Sequence, residues 1–340
     1  MYTDMKTILD DAVKNHYAVL AGGAFNMETI RGLIGAADAE QAPVLIIMGQ
    51  NMIKRHGHTE ITAPMIRTLA EETNVPVALL LDHGRDWDMI TQTFRAGFSS
   101  MMIDASAYDM QENIARTKKV VELCHAQGVP VEGELGHVGV AATLDGCDES
   151  MYTKPEEVEE FLNATHVDCL AIACGTAHGK YPDGFVPKLN FDPIRTVRAM
   201  TNVPLALHGT SGAGDENIRK AVEAGINKVN VATDIFCACR DYTKKRLEEE
   251  PDIEYLQLCV EVEQQCKEIC RHFIRLTGSS GKAANFAPKT ISPTASTVRC
   301  WTPANKRRIN NIKGGWLCKN IRGCPRQAAS SGHGRWSRRP

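Results

Sequence analysis

The chain has 340 residues, 43% of them hydrophobic and 24% charged, enough apolar content for one large core over residues 1–282. It contains no apolar run of membrane-spanning length, and Met1-Tyr-Thr-Asp-Met-Lys6 lacks the basic-then-apolar order of a secretory leader, so neither a membrane span nor a signal peptide is read and the cytoplasm is the expected default. The net charge of −2 conceals a division, because 12 of the 39 Lys+Arg and none of the 41 Asp+Glu follow Lys282, leaving residues 1–282 at −14.

Eight short runs rich in Val, Ile and Leu read as strands buried on both faces. In chain order they are Tyr17–Ala24, Pro43–Met48, Val75–Leu81, Phe98–Ile103, Val129–Leu135, Val167–Ala173, Val203–Leu207 and Ile226–Val231. Amphipathic stretches lie between them. Two of these open with a capping side chain and a Glu three residues on, Asp109-Met-Gln-Glu112 and Thr153-Lys-Pro-Glu156,. Three close on a Gly that leads straight into a strand, at Gly97, Gly128 and Gly225, where a left-handed residue ends a helix. A unit of helix, Gly, strand and polar loop repeated eight times predicts an α/β protein, a closed (β/α)8 TIM barrel, with its site at the carboxyl ends of the strands. An open doubly wound sheet has the same alternation but places its ligand at one switch point.

Twelve cysteines are present. Several lie inside expected helices or strands (Cys124, Cys169, Cys174, Cys259), and the pairs Cys237-Ala-Cys239 and Cys266-x3-Cys270 have no matched partner pair, so buried free thiols are read rather than a disulfide framework or a metal site. Residues 283–340 hold three of the four tryptophans, many Pro, Ser and Gly, and no period. They read as a disordered basic tail, an out-of-frame or read-through extension, with a nucleic-acid-binding arm as the alternative.

Six ionisable residues fall at the ends of successive runs: Asp82 and His83, Asp104, Glu134, His178 and His208. Three imidazoles, His83, His178 and His208, supply the neutral nitrogens that suit zinc and leave a coordination position for substrate. Asp82 precedes one of them and is the candidate acid/base. Asp104 and Glu134 are expected to hold the outer nitrogens of those histidines, or to ligate the metal in an alternative position. The loop His208-Gly-Thr-Ser-Gly-Ala-Gly214 after the seventh strand and Asn230-Val-Ala-Thr233 after the eighth occupy the places where this fold commonly holds phosphate,. Gly209, Thr210, Ser211, Asn230, Val231, Ala232 and Thr233 are therefore candidate phosphate contacts, with Gly179 adding an amide beside His178.

These stretches resemble the class II, metal-dependent ketose-bisphosphate aldolases. The resemblance rests on Leu81-Asp-His-Gly84, Gly97-Phe-Ser-Ser-Met-Met-Ile-Asp-Ala-Ser106, Glu112-Asn-Ile with Thr117-Lys-Lys-Val120, Val131-Glu-Gly-Glu-Leu-Gly136, Ala177-His-Gly179, Pro204-Leu-Ala-Leu-His-Gly-Thr-Ser-Gly212 and Lys228-Val-Asn-Val-Ala-Thr233, in family order as far as Lys282. It implies zinc on His83, His178 and His208, proton transfer by Asp82, and contacts to dihydroxyacetone phosphate from Gly179, Gly209, Ser211, Asn230 and Thr233. It also implies a homodimer or homotetramer, a monovalent cation near the phosphate, and aldol cleavage of a ketose 1,6-bisphosphate such as fructose or tagatose bisphosphate. Where the family has a second Gly followed by acids, this chain reads His137-Val-Gly-Val-Ala-Ala-Thr-Leu-Asp-Gly-Cys-Asp-Glu149. Asp145, Asp148 and Glu149 remain candidates for the loop acid, and the aldehyde half stays open, a sugar-acid phosphate included. Three rivals are weaker. A Schiff-base aldolase built on Lys228 has no use for three histidines, a metal-dependent hydrolase has none for the phosphate cradle, and a non-catalytic sugar-phosphate binder has none for Asp82.

Overall fold

A computed structural model describes residues 1–144, 148–182 and 184–286. All eight runs form strands: β1 (Val19–Gly23), β2 (Val44–Gly49), β3 (Val77–Gly84), β4 (Ser100–Ile103), β5 (Val131–Leu135), β6 (Cys169–Ile172), β7 (Leu205–Leu207) and β8 (Lys228–Val231). Each pairs in parallel with the next. β8 then pairs with β1 through Lys228↔Val19 and Asn230↔Ala21, closing the (β/α)8 barrel.

Seven of the eight runs begin two residues before pairing does. The leading residues Val75, Phe98, Val167 and Ile226 are buried in the layer between barrel and helices, so the apolar run records burial, which starts before the ladder. The Gly junctions form as read, with φ of +85° at Gly97, +69° at Gly128 and +123° at Gly225. Asp109 caps helix Met110–His125 by accepting from the Glu112 amide.

Thr153 departs from expectation. The helix starts at Pro155 without a side-chain cap, and the Thr153 hydroxyl instead donates to Leu135 O and accepts from Ala173 N. It ties together the ends of β5 and β6, a use of a hydroxyl that competes with capping.

Two apolar layers result. One lies between strands and helices. The other fills the barrel with Val19, Ala21, Leu45, Ile47, Ala78, Leu80, Met102, Cys169, Ala171 and Ala206. Helix Met5–Lys14, capped by Asp4 on Thr7 N at 2.8 Å, turns Met5, Ile8 and Leu9 onto that interior cluster. The Met5 amide donates to Ser100 Oγ at the start of β4, so the helix plugs the amino end and leaves the carboxyl end for chemistry. Ala283–Phe286 are also seated on this unit: Ala283 N donates to Gln41 O, and Asn285 Nδ2 to Asp11 Oδ2. The barrel unit thus takes in four residues past Lys282, and the rest of the expected tail, 287–340, lies outside the described residues.

Candidate metal and phosphate site

Strand alternation alone does not put Asp82 and His83 in one mouth. Ala78 and Leu80 face the barrel interior, so Asp82 is the next inward position and His83 should point outward. The pairing of β3 with β4 shifts register between Leu81 and Gly84, and His83 adopts a left-handed φ of +48°. This bulge re-aims the imidazole. A non-glycine residue there costs roughly 1–3 kcal/mol, sustained by contacts that over-determine it, here Asp104 Oδ2 at 3.0 Å from His83 Nδ1.

His208 directly follows β7. His178, contrary to expectation, does not end a barrel strand: β6 stops at Ile172, and His178 lies in a two-residue strand, Ala177–His178, paired with Gly139–Val140 outside the barrel. The three rings nevertheless meet, with centroids 4.5 Å (His83–His178), 4.7 Å (His83–His208) and 5.9 Å (His178–His208) apart.

Their donor pattern fits a shared divalent ion. Each has an outer nitrogen near an acceptor: His83 Nδ1 on Asp104, His178 Nδ1 at 3.3 Å from Val138 O, and His208 Nε2 at 2.7 Å from Glu132 Oε1. Such partners assign the tautomer that turns the other nitrogen's lone pair to a metal. Those other nitrogens converge. His83 Nε2 and His208 Nδ1 are 2.8 Å apart, and His178 Nε2 is buried with no hydrogen-bond partner. A second combination, His83 with Asp104 and Glu134, also brings ligand atoms together.

Charge sets the protonation of the cluster. Burial lowers the pKa of His83, but Asp82, Asp104 and Glu134 outweigh it and raise it to about 9. Burial and the neighbouring imidazoles push His178 down to about 3. Asp104, despite burial, is held well below the carboxylate range by His83, Ser106 and Arg85. Burial and the Asp104 charge push Glu134 up to about 7.

The phosphate candidates lie on the loops after β7 and β8. Gly209 has φ +64°, and a Cβ there would sit 2.7 Å from the Ala177 backbone, so the cradle packs directly under the His178 segment. Gly209→Ala is expected to destabilise the protein by about 2–4 kcal/mol through strain and overpacking, read as a lower Tm; an unchanged Tm would refute the tight approach. Thr210 donates its hydroxyl to Asn230 O, joining the two loops. Ser211 Oγ accepts from the Asp234 amide at 3.2 Å. Val231 is buried with its side chain in the outer layer, Ala232 and Thr233 open helix Thr233–Glu249, and Gly179 has φ +103° with open space about it.

The family model for class II fructose-bisphosphate aldolases matches residues 3–282. The chain belongs to that family. It is a metal-dependent aldolase, a carbon–carbon lyase acting on a phosphorylated sugar. The aldolase is 37% identical to YdjI of Escherichia coli (strain K12) over 284 residues, 83% of this chain and all of YdjI. It is 35% identical to the fructose-bisphosphate aldolase of Geobacillus stearothermophilus over 283 residues, 82% of this chain and 98% of that one. The crystal structure of YdjI, described as an aldolase, superposes with a TM-score of 0.74 at 36% identity, covering 83% of this chain and 100% of YdjI. A putative fructose-1,6-bisphosphate aldolase from Coccidioides immitis gives 0.72 at 28% identity, covering 82% and 98%.

Several contacts of the aldolase site lie outside what the sequence pattern points to. Asn230, a phosphate candidate, donates from Nδ2 to Asp82 Oδ1 at 2.9 Å. Glu132, not Glu134, meets His208, and Lys228 Nζ lies 3.0 Å and 2.9 Å from the two Glu132 oxygens. The signal was a spacing of two: Glu132 and Glu134 on β5, Lys228 and Asn230 on β8, share the inward face. Arg85 also meets Asp104, and Ser106 bridges Asp104 to His137. Among the candidate loop acids, Asp148 and Glu149 are exposed, Asp148 accepting from the Ser150 amide; Asp145 lies outside the described residues.

Proposed function

We propose that this aldolase cleaves and forms a ketose 1,6-bisphosphate reversibly, with dihydroxyacetone phosphate as one product, using one zinc held by His83, His178 and His208. The observation that carries the reading is the Asp82 carboxylate, held by Asn230 in the mouth shared by three imidazoles with convergent nitrogens. Bound there, zinc supplies a Lewis acid for the substrate oxygens next to the breaking bond. Asp82 takes the proton of the C4 hydroxyl as the C3–C4 bond breaks. Amides of Gly179 and Gly209, with Ser211, Asn230 and Thr233, hold the phosphate, and the opening of helix Thr233–Glu249 favours its charge,. Asp104 and Glu134 orient His83.

The Geobacillus stearothermophilus relative supports fructose 1,6-bisphosphate. The altered loop 137–149 bears on the aldehyde half, which makes tagatose bisphosphate or a phosphorylated sugar acid the competing substrates. The deciding assay follows dihydroxyacetone phosphate release from each sugar, after a chelator and after zinc is restored. Zinc-restored cleavage is expected. Cleavage indifferent to the chelator would overturn the zinc reading, and no cleavage of either bisphosphate would redirect the search to sugar-acid phosphates. A homodimer or homotetramer accompanies this reading, supported by exposed Tyr255, Leu256 and Val260 near the start of helix Tyr255–Leu276, as do a monovalent cation at the phosphate and a cytoplasmic location. No helix among the described residues is long and apolar enough to cross a membrane.

A further inference from the structure

The barrel interior below the site holds two charged side chains, Glu132 and Lys228, both fully buried at 0% exposure. Neither has a place in the aldol chemistry above. Burying such a pair gives little net stability against well-packed apolar residues, so its presence in an otherwise apolar layer of Val, Leu, Ile and Ala calls for another reason. The geometry offers one. Lys228 Nζ spans both Glu132 oxygens at 3.0 Å and 2.9 Å, aligned as a hydrogen bond to Oε1. That same Oε1 lies 2.7 Å from His208 Nε2.

We propose that Lys228 and Glu132 act as a positioning pair that selects the His208 tautomer with its proton on Nε2, leaving the Nδ1 lone pair to the metal. The ammonium has only donors and holds Glu132 as an acceptor, and an acceptor at His208 Nε2 requires N–H there. With Nε2 protonated, a neutral imidazole has its lone pair at Nδ1, the atom that faces His83 Nε2 at 2.8 Å. The ring therefore carries no proton into the metal position. Lys228 is used from beneath the site, which also accounts for a strand lysine in an aldolase that forms no Schiff base.

The inference rests on the reading that His208 ligates the metal, and the test separates the two. Wild type, Lys228→Met/Glu132→Gln and His208→Ala are compared for zinc affinity, by competition with a chromophoric chelator, and for the visible d–d spectrum of the cobalt(II)-substituted full chain. The amide introduced by Glu132→Gln can serve either tautomer, so the double variant is expected to bind zinc about 10- to 100-fold more weakly with an altered cobalt spectrum. The Tm of the metal-free double variant should stay close to that of wild type. If the double variant does not fold, Glu132→Gln alone carries the same two readouts. Wild-type affinity and spectrum in these variants, with zinc lost in His208→Ala, would overturn the positioning pair alone. An unchanged zinc affinity in His208→Ala would overturn the metal assignment, and the pair with it.

Discussion

Asp82→Asn is expected to lower kcat for cleavage by roughly 10²- to 10⁴-fold, the span of a positioned general acid/base, while leaving zinc bound. The substitution is nearly isosteric. Asn230 Nδ2 donates to Asp82 Oδ1 at 2.9 Å, and the amide oxygen that replaces Oδ1 can accept that bond, so the side chain stays in place without a proton acceptor of useful strength. The loss is also specific to one step. In the proposed reaction Asp82 acts on the C4 hydroxyl, which dihydroxyacetone phosphate lacks, so exchange of that product's C3 hydrogen with solvent should persist in the variant after cleavage has collapsed. Cleavage within about threefold of wild type would remove Asp82 from the mechanism. Equal collapse of both reactions would instead assign it to binding or to the metal.

How much of this was legible in the sequence depends on which physical signal each residue leaves. The eight strands were legible because burial on both faces imposes continuous apolar runs, yet pairing begins two residues later at Val77, Ser100, Val131, Cys169, Leu205 and Lys228. The barrel's mouth was legible because polar residues interrupt those runs. What the runs do not carry is orientation. Asp82 and His83 share the mouth only through a bulge and a left-handed His83, a conformation usually marked by Gly or Asn that here falls on a His, one residue before Gly84. His178 reaches the site from a short strand outside the barrel, a pairing of two residues too brief to leave a period. Glu132 and Lys228 lie one step deeper on the inward face than Glu134 and Asn230, and the habit of excluding charge from a core hides them. Thr153 shows the opposite error: a sequence pattern for capping is present, but the hydroxyl satisfies the ends of β5 and β6 instead.

Removing a proposed ligand should have a comparable effect by a different route. His178→Ala deletes the one imidazole whose inner nitrogen is buried without a partner, and leaves two nitrogens for the ion. Cleavage at stoichiometric zinc is expected to fall by roughly 10²- to 10⁴-fold or more, corresponding to the several kcal/mol of transition-state stabilisation that a Lewis acid supplies, with partial recovery in excess zinc. Retention of full activity without added metal would exclude His178 as a ligand. Proton linkage gives a second, independent check. In the metal-free protein the carboxylates around His83 outweigh its burial and raise its pKa to about 9, above the ordinary value of about 6.5. Metal must displace that proton, so zinc affinity should climb as pH rises from about 6.5 towards 9 and level off beyond. Stability runs the other way. A pKa raised on folding contributes stability that is complete below about 6.5 and lost as pH rises through about 9, so the metal-free protein should show a falling Tm over that window. The zinc-loaded protein, with His83 held neutral by the ion, should not follow it, and parallel Tm profiles for the two forms would show that the metal does not sit on His83.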